Sequence, residues 1–428
     1  MAAEWRRTLA GALEALGIER SPDELVVTGE LGHLAARLPV EDTAIACIGA
    51  ALLAAGPAEL ATGHVAAAVR SEAHFLLNGQ SPQDGFAPMS RFWRASDGWV
   101  RTHGNYPWHR EALQRALGTS DDVAAVGSAI AELPAREVEA RVVAAGGIAA
   151  AVRSPEQWRA EPPGRAVDAQ PLVSARQAGD AAPRRGRFRV LDLTRVIAGP
   201  VCTRFLAALG ADVLRIDPPH RPERPGSHDA LLGKRSAVLD ARTPEGLARL
   251  HELLDGADVL VHGYRPGALD RFGLDFESLA DRHPGLVVVS LSAWGNSGPW
   301  GDRRGFDSIV QAASGIAAVE STSDGPGALP CQLLDHGTGY LCAAAVLDGL
   351  RRQSEHGGTW LRELSLARTA HWLLDQPRTE RPAAPVNVEP WLTSLEGGIT
   401  AVAPPGRLDG RALTWPFLQP YGTAEPAW

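Results

Sequence analysis

Lysine is almost absent: Lys234 is the only one in 428 residues, and every other long basic side chain is arginine. That bias reads as genomic base composition, so one arginine taken alone carries little information. Positive charge is also in the minority. The 42 Lys and Arg face 50 Asp and Glu, a formal charge of −8, and a global field able to hold a nucleic-acid backbone is missing. An anionic ligand therefore needs a local basic site. The four cysteines, Cys47, Cys202, Cys331 and Cys342, are far apart or set in apolar runs, and neither CxxC nor HExxH occurs. Disulfide frameworks and the common zinc sites lose their sequence basis, and no metal is expected. No apolar stretch approaches the ~18 residues of a membrane span. The N-terminus leads into Leu9, Leu13 and Leu16 at helical spacing without a secretory pattern. The expectation is a soluble, cytoplasmic protein with neither membrane nor nucleic acid as partner.

What is present is enough chain for two or three globular units. Residues 1–90 are alanine-rich, and the run 44–55 (AIACIGAALLAA) predicts a core helix buried on most sides. The texture changes near Phe92. Two short strands around an Asp97-Gly98 turn, a helix over 108–117 and another over 135–145 stopped by Gly146-Gly147 predict a small α+β unit over 91–160. Residues 161–187, rich in Pro, Gly, Ala and Arg, read as a linker. From 188 the rhythm becomes strand, helix, strand: strands at 188–193, 212–216, 236–239, 258–261 and 286–291, helices at 201–209 and 244–254. The economical fold is α/β, an open, Rossmann-like and mostly parallel sheet covered by helices over 188–375. A buried helix follows near 339–350, and 376–428 form a C-terminal extension.

A βαβ unit raises the dinucleotide hypothesis, with Asp217 as acceptor for a ribose hydroxyl. The turn after the first strand, Arg195-Val-Ile-Ala-Gly-Pro200, argues against it. Close backbone approach to a pyrophosphate relies on G-x-G-x-x-G, which is absent there, and Gly233-Lys-Arg-Ser lacks the rest of a P-loop.

The ordered segments VLDLTRVIAGP (190–200), LGADVLRIDPP (209–219), GKRS (233–236), ADVLVHGYRPGALDRFG (257–273) and GFDSIVQAASG (305–315) resemble the family III CoA-transferases (CaiB/BaiF type). The resemblance implies a Rossmann-like large domain, a small domain, and an interlocked homodimer. It implies coenzyme A or acyl-CoA as substrate, carboxylic acids as partners, and no permanently bound cofactor. The family nucleophile falls on Asp335 in LLDHGTG (333–339). The chemistry of the residue agrees, since a carboxylate can attack a thioester and exchange through an aspartyl-CoA intermediate. An arbitrary aspartate at that place more often serves only as a helix cap. The resemblance places CoA contacts at Val196 and Ala198 in the first turn, Leu239 and Arg242 after the third strand, Gly263, Tyr264 and Arg271 in the next motif, and Arg304 before Gly305. Each arginine has a solvated-surface alternative, and Tyr264 a core one.

The order of segments departs from the family's. Residues 91–160 resemble the small domain yet precede the nucleotide-binding half, and residues 1–90 resemble the part of the large domain that normally follows the nucleophile. Pro39–Leu53 echoes the segment around Asp335, which makes Asp42 a decayed duplicate or a plain helix cap. The permuted or fused halves leave two other readings: a non-catalytic CoA-binding protein, or an α-methylacyl-CoA racemase-like enzyme. The racemase histidine would fall at Phe306, which ranks that reading lower. Gly397-Gly398 is a weak match to the family's glycine-rich loop.

Overall fold

The structure, a computed structural model, describes residues 4–82, 85–185, 188–224, 226–378 and 381–428. Its centre is a seven-stranded sheet in the order Arg235–Val238, Asp212–Asp217, Arg189–Leu193, Val259–His262, Val287–Ser292, Thr359–Ser365 and Ser174–Ala178. The first six run parallel, and the last pairs antiparallel at the edge. The α/β expectation holds. Parallel strands buried on both faces read as unbroken Val, Ile and Leu runs, and here alternate residues divide between two cores. Val190, Val213, Val259 and Val287 face the larger core, while Leu191, Leu214, Leu260 and Val288 face the second, closed by Leu250, Leu253 and Leu254 of the helix Pro244–Asp255.

On the larger side the helix Leu333–His356 lies between Ala198–Ala208 and Val40–Ala55. Glycine makes this approach possible: a Cβ on Gly339 would stand 2.4 Å from the Ala198 carbonyl. The run around 44–55 is the buried helix its composition predicts.

Much of the stretch expected to be a linker, 161–187, is regular structure among its described residues. Pro162–Asp168 forms a helix with proline at its start, and Ser174–Ala178 forms the edge strand. The strand's mostly solvent-facing Ser, Arg and Gln hid it, because an edge strand needs little apolar surface. Residues 1–90 are likewise more than helical. Leu25–Thr28 and Ala58–Ala61 pair in parallel and continue into Arg407–Leu408, and Leu76–Leu77 joins the hairpin of Leu392–Leu395 and Ile399–Val402. The C-terminal extension thus completes the N-terminal segment, through strands too short to carry a local signal.

Within 91–160, Phe92–Arg94, Trp99–Thr102 and Ala149–Ala151 form an antiparallel sheet under the helices Pro107–Leu117, Val123–Ala131 and Ala135–Ala144. Asp97 in the predicted turn caps the last of these helices, accepting the Ala135 N–H at 2.8 Å. This unit packs on the helix Asp307–Ser314 of the large half, leaving a cleft between them. Among the described residues no helix is long and apolar enough to cross a membrane.

Candidate active site

Asp335 is the third residue of the helix Leu333–His356, whose N-terminal flanking residue Gln332 makes no side-chain cap. The cap comes from elsewhere: Asp307 Oδ2 accepts the N–H groups of Leu334 at 2.9 Å and Asp335 at 3.2 Å. Gln311 donates to the other Asp307 oxygen and accepts the Leu329 N–H at 2.9 Å. One buried carboxylate therefore satisfies the orphan donors of the helix start, which frees Asp335 from that duty. Among the described residues the Asp335 carboxyl has no hydrogen-bond partner. It is 5% exposed and its surface opens on two adjoining cavities. Burial, then the negative neighbours Asp307 and Glu72, hold its proton affinity well above the ordinary carboxylate range. Next to it, buried His336 contacts Glu72 Oε2 through Nε2 at 3.0 Å. Burial opposes ionisation of Glu72, and His336 and its other contacts more than offset this, so Glu72 lies below its usual range.

The larger cavity, about 690 Å³, brings Val196, Ala198, Leu239, Arg242, Gly263, Tyr264, Arg271 and Arg304 onto one wall system with Asp335. The free N–H groups of the helix Ala198–Ala208 begin there, a ready anion site. Val196 holds φ +70, a strained value for a β-branched residue, and its N–H donates to Glu223 Oε2 at 3.1 Å. Burial resists the charge on Glu223, but Arg215 and Arg195 prevail and hold it down at about 2. Arg242 is engaged by Asp240 at 2.7 and 2.9 Å, Arg271 lies 4.6 Å over the Phe272 ring, and Arg304 reaches the Gly146 carbonyl at 3.4 Å. Tyr264 is half-buried, with part of its ring on the second core and part on the cavity. Asp217, considered for a ribose, is fully buried against Arg215 at 2.7 and 2.9 Å.

Sequence reasoning missed several lining residues. Arg221, 4.5 Å over the Trp108 ring, and Arg265 stand on the same wall as Arg271. In so arginine-rich a chain neither is distinguishable by type. Tyr106, Trp108 and His109 enter from the small unit, and the cluster Tyr-Pro-Trp-His after a strand was the available signal.

A second cavity of about 410 Å³ shares Tyr106, Val196, Phe306 and Asp335 with the first. Its walls combine Glu72 and Phe86 from the N-terminal segment, His103 and Asn105 from the small unit, and Arg204 and Arg224 from the large half. Residues of the N-terminal segment, the small unit and the large half thus meet at one cavity within one chain. Phe306 stacks on His103 with centroids 3.8 Å apart and planes 4° from parallel. Burial, His109 and two arginines keep that imidazole neutral.

Other candidates fall outside this assembly. Asp42 repeats the position of Asp335, third in its helix, with Pro39 at φ −77, ψ 59 against Gln332 at φ −78, ψ 64. It is 1% exposed and clamped by Arg381 at 2.6 and 2.9 Å, a structural ion pair. Gly397-Gly398 sits at a hairpin turn, where Asn78 N–H donates to the Gly398 carbonyl at 2.7 Å, and borders neither cavity; it does not serve as a glycine-rich loop over the site. Lys234 is buried on Asp192 at 3.0 Å. Among the described residues no cluster suited to a metal ion occurs.

Residues 187–390 match the family described as CoA-transferase family III. Among curated relatives, the "Probable fatty acyl-CoA transferase Rv3272" of Mycobacterium tuberculosis is 35% identical over 185 residues, 40% of this chain and 47% of that protein. The "Formyl-CoA:oxalate CoA-transferase" of Rhodopseudomonas palustris is 33% identical over 189 residues, 40% of this chain and 43% of that protein. The "Succinyl-CoA--D-citramalate CoA-transferase" of Chloroflexus aurantiacus is 36% identical over 151 residues, 32% and 38% of the two chains. The chain spans about half the length, or less, of these relatives. The crystal structure of Rv3272 aligns with 32% identity and a TM-score of 0.40, over 44% of this chain and 57% of that one.

Proposed function

We propose, from the match of residues 187–390 to CoA-transferase family III, that the whole chain moves coenzyme A from an acyl-CoA donor to a carboxylic acid through Asp335. The observation that carries this is the junction of the two cavities: the one carboxyl without a hydrogen bond among the described residues of these walls stands where a long arginine-bordered cleft meets a smaller chamber. The cleft suits the phosphates and pantetheine arm, with helix N–H groups and arginine forks as anion partners.

Asp335 in its ionised form attacks the thioester carbonyl. The C–S bond breaks, the CoA thiolate leaves, and a mixed anhydride remains. The thiolate then attacks the aspartyl carbonyl, releasing the donor's carboxylate and leaving an aspartyl-CoA thioester. The acceptor carboxylate reverses these two steps on its own behalf and Asp335 is regenerated. A carboxylate of raised basicity is a better nucleophile once ionised, and the uncapped N–H groups at the start of the helix Ala198–Ala208 are the donors available to developing negative charge. No permanent cofactor takes part. The interlocked homodimer and cytoplasmic location implied by the family belong to the same proposal.

One observation favours a second reading. His103, neutral and stacked on Phe306, brings an imidazole to the chamber that Asp335 borders, the pair of groups that α-proton exchange in a racemase requires. Deuterium wash-in at the α-carbon of a 2-methylacyl-CoA separates it from transfer. The transfer reading is tested by a thioester-exchange screen of donor and acceptor pairs on the full chain and on Asp335→Ala. Exchange abolished by the substitution supports it; exchange surviving the substitution removes Asp335 from the chemistry.

A further inference from the structure

The charged groups around the smaller chamber are not all spoken for. Glu72 is engaged by His336 at 3.0 Å. Asp229 pairs with Arg204 and accepts from Ser71 Oγ at 3.0 Å. Glu223 accepts from the Tyr106 hydroxyl at 2.6 Å and from Arg215 at 3.2 Å. Two charged side chains are left. One is Asp335. The other is Arg224, half-buried, whose guanidinium donates to the Gly85 carbonyl at 3.2 Å and meets no carboxylate among the described residues. Its remaining N–H groups have no protein acceptor among those residues.

A second guanidinium stands near this end of the chamber. Arg101 is buried without an ion-pair partner among the described residues, its guanidinium 5.1 Å from the ring of Phe86 on the chamber wall. The neighbouring His103 is held neutral, so it adds no competing charge and no anion of its own.

A guanidinium with open donors in a walled chamber is an anion receptor, and its planar fork matches a carboxylate in two parallel hydrogen bonds. The chamber's about 410 Å³ lies toward the small end of ligand pockets. We infer that this chamber holds the acid portion of the substrates and that Arg224 selects short acids bearing a second carboxylate, one end reacting at Asp335 and the other held by the guanidinium. The inference rests on the transfer reading for the chemistry at Asp335, and adds to it the substrate class and the residue that sets it.

The test uses the full chain with acetyl-CoA as donor and chain-matched acceptors, butyrate against succinate and valerate against glutarate. It compares the wild type with Arg224→Gln and Arg224→Lys, after thermal melting has shown that the variants fold. Glutarate binding to the CoA-saturated protein is measured in parallel by calorimetry. The expected result is a preference for the dicarboxylate in kcat/KM of about 10- to 100-fold, the size of one charged hydrogen-bonding contact. Arg224→Gln should erase that ratio and weaken glutarate binding, and Arg224→Lys should retain part of both. Equal use of the two acid classes, or an unchanged ratio in Arg224→Gln, overturns the inference while transfer itself stands. Arg224-dependent glutarate binding without exchange of any acid supports the receptor and overturns transfer. Neither binding nor exchange overturns both.

Discussion

Asp307 Oδ2 accepts the backbone N–H of Asp335 at 3.2 Å, so one carboxylate fixes the helix turn that presents the other. The pair is also electrostatically linked, because burial and the charge of Asp307 both resist ionisation of Asp335. In the proposed transfer only ionised Asp335 attacks the thioester. The rate should therefore rise with pH through a value above the ordinary carboxylate range. Asp307→Asn keeps an oxygen acceptor for the helix N–H groups and removes the charge. Its profile of kcat/KM for acyl-CoA should move toward lower pH; an unmoved limb would show that Asp307 acts only as a cap.

The same raised proton affinity has a cost in stability. Folded Asp335 holds its proton more tightly than the unfolded chain does, so its contribution falls as pH rises from about 4 toward the elevated folded value. Asp335→Asn, which carries no charge, should melt a few degrees above the wild type at pH 8, since each tenfold gain in proton affinity on folding corresponds to about 1.4 kcal/mol. Near pH 4 the two should converge. Equal melting temperatures at both pH values would contradict the buried, unpaired state of this carboxyl.

Arg204 is buried and ties the N-terminal segment to the large half, pairing with Asp229 while donating to Ser71 Oγ at 2.8 Å. Asp229→Ala leaves that guanidinium without its counter-charge, a loss of about 3–5 kcal/mol. Denaturant unfolding should register it, and limited proteolysis should cut first near Ser71. Wild-type resistance at that segment would show that its docking rests on the helix Val40–Ala55 alone.

Arg271 and Arg304 border the long cleft, and neither has a carboxylate partner among the described residues. Replacing either with Gln should raise KM for acyl-CoA about 3- to 10-fold with little change in kcat, and should flatten the dependence of KM on salt. A change confined to kcat would place these residues in the chemistry rather than in binding.

The parallel sheet was legible because its strands are apolar on both faces, as at Val287, Val288 and Val289. Asp335 and its eight expected cleft neighbours could be named because the family resemblance of the motifs that hold them implies those roles, and the fold lines one cavity with all nine. What stayed hidden is tertiary. The capping by Asp307 joins residues 28 apart, so GFDS could be quoted as a motif while the duty of its aspartate was not. The edge strand Ser174–Ala178 lacks apolar periodicity. Glu72, His103 and Arg224 reach the chamber from three separate stretches of chain, and no local pattern marks them. The likeness of the segment around Asp42 to that around Asp335 was legible as an echo, but only the clamp by Arg381 shows that Asp42 is engaged.

The most direct measurement is mass spectrometry of the peptide containing Asp335 after brief exposure of the full chain to acyl-CoA. The predicted result is a CoA or acyl adduct on Asp335 that disappears when an acceptor acid is added. An Asp335 that stays unmodified while CoA continues to be transferred would contradict its role as the nucleophile.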